Sequence, residues 1–232
     1  MSNKPMPSVS VVIPVHNGQA YLAEAINSVI HQQGLNDLEV IIIDDGSIDD
    51  SAHIAKNFEH VQYHYQAPQG VAAARNAGAA FASGDYLAFL DADDIWLPNK
   101  LAMQIKRLLT QEHLDMVFCM VQQFISPDLN DQQRARIACP SPAMPGYIPS
   151  ALLLKKSTFE HIGAFQTQWR VGEFIDWYSR AKELGCQSDI VVETLLKRRL
   201  HLSNTGVTER DSRQEFARIL KASLDRKRRS QP

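Results

Sequence analysis

Apolar and polar positions alternate in blocks along this chain of 232 residues. Val9 to Val15 is a continuous, β-branched run and predicts a strand buried on both faces, as in parallel sheets. After Asn17-Gly18, Leu22, Ala25, Ile26, Val29 and Ile30 recur at helical spacing, with Gly34 as the stop. Leu38 to Ile43 predicts a second buried strand, halting at Asp44-Asp45-Gly46. A helix with Ile54, Ala55 and Phe58 on one face follows, then a strand from Val61 to Tyr65. Pro68 and Gly70 mark a loop, and an alanine-rich helix runs from Val71 to Ser83 with Gly84 behind it. Tyr86 to Leu90 is a fourth strand, leading into an acidic cluster. Pro98 suits the first turn of a helix whose core face is Leu101, Ile105, Leu108 and Leu109, and Asp115 to Val121 is the next strand.

Beyond Val121 the pattern loosens. Gln122 to Pro149 is polar and holds five prolines, long for a structureless connection. Leu152 to Leu154 predicts a strand, Phe174 to Leu184 a helix closed by Gly185, and Ile190 to Leu200 one or two strands. Glu209 to Arg229 predicts a solvated helix ending in Arg226-Lys227-Arg228-Arg229. The alternation predicts an α/β fold with a mostly parallel sheet flanked by helices and a less regular C-terminal part. We divide it into a ligand-binding half (1–121), a second half of the same domain (122–207) and a basic helical tail (208–232).

Composition adds limits. The chain is 44% hydrophobic and 22% charged, with a net charge of -2, so no global field draws it to nucleic acid. Cys119, Cys139 and Cys186 are far apart and odd in number, which suits a reducing compartment and not a disulfide framework. No apolar run reaches the about 20 residues that span a bilayer, and the start lacks a signal-peptide pattern. The expectation is a cytoplasmic protein, with peripheral membrane attachment and a homodimer left open.

In open α/β sheets ligands bind at the carboxyl ends of strands. Three polar clusters fall there: His16-Asn17, Asp44-Asp45 and Asp91-Ala92-Asp93-Asp94. Asp91 and Asp93 repel each other when desolvated unless a cation neutralises them, and a hard divalent ion does this while bridging to diphosphate oxygens. The plainer reading is a pair of exposed loop acids capping the next helix. One carboxylate of Asp44 and Asp45 accepts a hydrogen bond from a nucleobase or ribose, or the pair merely caps a turn. In Gly70-Val71-Ala72-Ala73-Ala74-Arg75-Asn76-Ala77-Gly78 the small residues allow close helix packing, and Arg75 is either a surface arginine or a nucleotide ligand.

Together these segments resemble family 2 glycosyltransferases. The resemblance rests on Val9 to Asn17, Ile43-Asp44-Asp45-Gly46-Ser47, Ala74-Arg75-Asn76-Ala77-Gly78 and Gly84 to Asp94, in matching order, and extends to about Gly206. It implies a GT-A fold, a nucleoside diphosphate sugar donor, a divalent cation (Mn or Mg) and inversion at the anomeric carbon. The acceptor is left undetermined. It also implies donor contacts from Pro14, His16, Asp44, Asp45 and Arg75, and metal contacts from Asp91 and Asp93. Lys197 to Asn204 resembles the family's late Arg-x-His-x-x-Asn segment, which adds His201 near the metal. The family's usual Glu-Asp at a helix start departs here: Phe174 stands at the Asp position. Phenylalanine accepts no proton, so Glu173 is the first candidate base and Asp176 the second; pairing with Arg180 is the alternative for Asp176. That departure motivates a rival reading, a non-catalytic nucleotide-sugar-binding or partner-binding protein. A nucleotidyltransferase lacks support, since no glycine-rich loop with lysine occurs near the start. Phe124, Tyr147, Trp169 and Trp177 are candidates to stack on a sugar or to fill the core.

Overall fold

A computed structural model describes residues 7–140, 142–204 and 213–229. Four strands build its first half: β1 (Val9–Val15), β2 (Leu38–Asp45), β3 (Val61–Gln66) and β4 (Tyr86–Phe89). They lie side by side in the order β3-β2-β1-β4, all parallel. Alternate residues of β1 serve opposite faces. Val11, Ile13 and Val15 join one apolar core and Val12 the other. Both faces are therefore buried, which is why the run carries no polar alternation. Beyond Val12 the β4 side of β1 is unpaired, so Pro14 removes no donor needed by that neighbour.

Helices α1 (Leu22–Ile30), α2 (Ser51–Lys56) and α4 (Lys100–Thr110) place apolar side chains in the first core; α3 (Val71–Phe81), α6 (Lys156–Ile162) and α7 (Glu173–Glu183) pack on the second. Gly78 of α3 sits so close to β1 that a Cβ there would stand 2.2 Å from Val12 Cγ1. The close packing expected of the alanine-rich helix is thus realised. Two helical positions differ from expectation: Ile30 is 38% and Leu109 53% exposed. Leu101, Ile105 and Leu108 already define the buried stripe of α4, and Leu109 lies about 100° off Leu108. Pro98 precedes the helix, which begins at Lys100. Helix α1 ends at Ile30, before Gly34.

The second half is more ordered than its composition predicts. Strand β6 runs from Met116 to Ile125, four residues past the expected end, because β9 (Ser188–Leu200) pairs with it as far as Leu200. The long connection holds a short helix, α5 (Asp131–Arg134), and β7 (Met144–Pro145), which returns to pair with β6. Strand β8 (Leu153–Lys155) bridges β4 and β6 antiparallel to both. A two-residue strand, β5 (Ile95–Trp96), follows the acidic cluster and pairs antiparallel with β9 at the sheet's far edge. Helix α8 (Arg213–Arg229) packs on α7; the first four positions of the expected tail helix lie outside the described residues. Among the described residues no helix is long and apolar enough to cross a membrane.

Lys100 is wholly buried at the start of α4, its Nζ 4.0 Å from the Trp96 ring centre and donating to Gln104 Oε1 at 2.8 Å. Burial lowers its pKa from 10.5 to about 8, against the nearby Cys119. Between those values the unfolded chain binds the extra proton, so stability rises with pH there. Below about 8 the cost of the buried charge is present in full, roughly 3 kcal/mol by the size of the shift. Urea titrations from pH 7.5 to 10.5 should show this rise in the wild-type chain and a flatter profile in Lys100→Met.

Candidate active site

The carboxyl ends of β1, β2 and β4 share one edge of the sheet, and the loops after β1 and β2 are bonded to one another. At the β1 end, Asn17 N–H donates to Ser47 Oγ (2.9 Å) and Asn17 Oδ1 accepts from Ile48 N–H (2.9 Å). His16 is exposed, with Nδ1 2.8 Å from the Asp45 carbonyl. At the β2 end both carboxylates are buried and face protein groups. Asp44 accepts from Ser47 N–H and from the Tyr63 hydroxyl, each at 2.7 Å. Asp45 accepts from Gln66 Nε2 (2.7 Å), Gln69 N–H (2.8 Å) and Gly70 N–H (2.7 Å). Gly46 between these loops has φ +79°, and a Cβ there would meet Pro68 at 2.4 Å. Asp44 and Asp45 therefore knit the loops together, the capping role weighed for this pair. Pro14 is buried in β1.

Arg75 is also not the free ligand expected. Its side chain is 4% exposed, with Nη2 on Asp91 Oδ1 (2.6 Å) and Nη1 on Glu173 Oε1 (2.5 Å). Burial disfavours its charge, but the Asp91 and Glu173 carboxylates outweigh that and raise its pKa. One guanidinium thus ties the acidic loop after β4 to the start of α7, 98 residues downstream of Arg75. Asp91 Oδ2 and Glu173 Oε2 have no partner among the described residues.

Asp93 belongs to a second group. Its Oδ2 lies 2.9 Å from His201 Nε2 and accepts from Asn204 Nδ2 at 3.0 Å. His201 Nδ1 meets Ser203 Oγ at 2.8 Å, and the Tyr21 ring lies 5.0 Å away. Arg199 makes this possible. It is 3% exposed, stacks between Tyr21 (4.6 Å) and Phe124 (4.7 Å), donates from Nε to the Asp93 carbonyl (3.0 Å) and from Nη2 to Glu24. Its backbone N–H meets Asp94 Oδ1 at 3.1 Å. Burial, with the Asp93 and Asp91 charges beside it, pushes Asp94 well above the usual carboxylate range. Arg199 was assigned no role from sequence. The signal was period two: Arg199 and His201 lie two apart at the end of β9, on one side of the chain.

A divalent cation is a partial fit to these groups. Among the described residues no three His, Cys, Asp or Glu side chains converge on one point, so Asp91, Asp93 and His201 do not form a closed cage. Asp91 pairs with Arg75, while His201 pairs with Asp93. What suits a hard ion is the two carboxylates at one strand end, 37% and 27% exposed, each with one oxygen unpaired among the described residues. Magnesium-type sites commonly use one or two carboxylates and complete the shell with substrate phosphates and water.

The two candidate bases separate. Glu173 is the first residue of α7 and its side chain is 11% exposed. Asp176 is 1% exposed and held by Arg180 (3.1 Å) and by Arg226 of α8 (2.9 Å). A carboxylate closed between two guanidiniums offers no accessible lone pair, so Asp176 is a structural ion pair. Phe174 points into an aromatic cluster with Phe118, Trp177 and Tyr178 and is 6% exposed. Trp177 is core, Phe124 lies against Arg199, and Tyr147 packs beside Phe118 while 52% exposed. Trp169 is half-buried, its Nε1 without a partner among the described residues.

With this geometry in place, comparison with known proteins is informative. Residues 10–172 match the model of glycosyl transferase family 2. An uncharacterised glycosyltransferase of Rickettsia typhi is 30% identical over 223 residues, covering 90% of this chain and 69% of that protein. One from Nostoc is 39% identical over 120 residues, covering 47% of this chain but 37% of its own length. The fold resembles that of S. aureus TarS, with TM-score 0.71 and 16% identity over 93% of this chain and 39% of TarS. TarS 1–349 has been solved with UDP-GlcNAc; that structure gives TM-score 0.67 at 17% identity, over 85% of this chain and 60% of that one. The curled, mostly parallel sheet is thus of the GT-A type, and the chain belongs to glycosyl transferase family 2.

Proposed function

We propose that this chain moves a sugar from a nucleoside diphosphate sugar to an acceptor hydroxyl with inversion, aided by Mn or Mg. The observation that carries this is the Asp91–Arg75–Glu173 bridge. It sets a cation-side carboxylate and an acceptor-side carboxylate at the two ends of one guanidinium. A bound UDP-GlcNAc in TarS, a protein of the same fold, supports the donor class.

In this reading the donor lies along the β1, β2 and β4 ends. Exposed His16 reaches its base or ribose, Pro14 shapes the floor, and Asp44 and Asp45 keep the surrounding loops closed. Asp91, Asp93 and, through Asp93, His201 would hold the cation, which when bound would neutralise the diphosphate. Glu173 Oε2 takes the proton from the acceptor hydroxyl as the new oxygen–C1 bond forms. The C1–oxygen bond to the diphosphate breaks, and its electron pair leaves with that group. Arg75 keeps Glu173 aimed. A single displacement inverts C1.

Glu173→Gln should lower kcat by about 10²–10⁴, with donor affinity within a few-fold of wild type. Asp176→Asn should act on melting temperature instead, because it weakens the tie between α7 and α8. Steady-state kinetics, donor titration and thermal melts of both variants separate the roles. A dead, stable Asp176→Asn beside an active Glu173→Gln would sink the assignment. Product of retained anomeric configuration would sink the single displacement.

A further inference from the structure

Helix α8 has one face seated on the protein and another that no described residue covers. On the seated face Ile219 is 2% exposed, Ser223 Oγ meets Ser179 Oγ at 2.9 Å, and Arg226 reaches Glu183 and Asp176. On the other are Leu220 and Leu224, 62% and 47% exposed, and Phe216 continues their row at four-residue spacing, 45% exposed with one edge of its ring against Gly172. This spacing keeps them in one row along the helix. Exposed Lys221 and Arg228, the latter 4.0 Å from Asp225 in a solvent-exposed pair, border that row on the side away from α7, and the helix ends in Arg226-Lys227-Arg228-Arg229. Its 17 residues carry seven Lys and Arg against two acids, while the whole chain has a net charge of -2. The helix therefore carries an excess of positive charge, part of it met by Asp176 and Glu183 through Arg226.

An exposed apolar row bordered by cations is the arrangement of a helix that lies in the plane of a bilayer. The leucine and phenylalanine side chains enter the acyl boundary, and the cations stay among the headgroups. A second copy of the chain fits less well, since two such helices would bring like charges together. We infer that α8 docks this chain on an anionic membrane surface through Phe216, Leu220 and Leu224, with Lys221 and Arg228 on lipid phosphates. The helix is braced to the site: Glu215 accepts from Val171 N–H at 3.0 Å, two residues before Glu173. Docking through α8 therefore holds the Glu173 end of the site beside the membrane. The inference does not depend on the transfer reaction proposed above.

The test is sedimentation of the full chain with vesicles of phosphatidylcholine alone and of phosphatidylcholine with about one-third phosphatidylglycerol. Binding is expected to the anionic vesicles only, and to weaken as salt is raised. Leu220→Asp/Leu224→Asp should lower partitioning at least about tenfold. Lys221→Glu/Arg228→Glu should lower it by about fivefold or more. Both variants should melt at the wild-type temperature, since the altered side chains are exposed. Equal binding to both vesicle types, binding to neither, or variants that bind like wild type would overturn the proposal. So would a dimer in light scattering that Leu220→Asp/Leu224→Asp abolishes without vesicle binding, which assigns the face to a second copy.

Discussion

Asp93→Ala should lower sugar transfer by about a thousandfold or more while the chain stays folded, an effect of the size seen when one electrostatic stabiliser is removed from an active site. Asp93 is 27% exposed, so its loss leaves no deeply buried cavity. Its partners His201 and Asn204 keep other hydrogen bonds, to Ser203 and to the Arg199 carbonyl. The stability cost is therefore about 1 kcal/mol. Melting curves with UDP and manganese supply a second readout. The wild-type chain should be stabilised by the pair more than by UDP alone, and Asp93→Ala should lose that increment. Full turnover after exhaustive chelation would remove the cation from the proposal.

Arg75→Met should be the most destabilising substitution at the site. It leaves Glu173, nearly buried, facing Asp91 without the cation between them. Removing one partner of a buried ion pair typically costs 3–5 kcal/mol, and the partial exposure of Asp91 places this case at the lower end, about 3 kcal/mol. Urea denaturation should record the loss as a lower midpoint. Adding Glu173→Gln should restore part of it, because the double variant no longer buries an unpaired charge. If the two losses simply add, the bridge is not an energetic unit. Activity should fall as well, since Glu173 and Asp91 lose the group that spaces them.

The parts of this protein that were legible in its sequence are those with local causes. Val9–Val15, Leu38–Asp45 and Tyr86–Phe89 are strands because apolar, mostly β-branched and aromatic runs bury on both faces. The buried stripes of α1 and α4 follow from helical periodicity, and three polar clusters fall at strand ends on one edge of the sheet. What failed was also local in origin. Leu109 and Ile30 were assigned inward because they are apolar, yet each lies beside a stripe already complete. Gln122 to Ile125 looked like loop because half of it is polar, although β9 pairs with it backbone to backbone.

The chemistry of the site was legible in residue type but not in partnership. The Asp, Arg and Glu positions were evident, whereas their partners were not. Asp44 and Asp45 serve their own loops, Arg75 bridges two carboxylates, and Asp176 is closed between Arg180 and Arg226. Phe174 is core, and Glu173 beside it is the carboxylate of α7 that meets Arg75. Sequence alone thus determined the fold class, the family and the edge on which the polar clusters gather, because strand and helix periods and the turns between them are set by neighbours along the chain. Only the tertiary structure decided which charges meet. Arg75 finds Glu173 across 98 positions and Arg199 finds the Asp93 carbonyl across 106, and contacts of that range leave no period in the sequence.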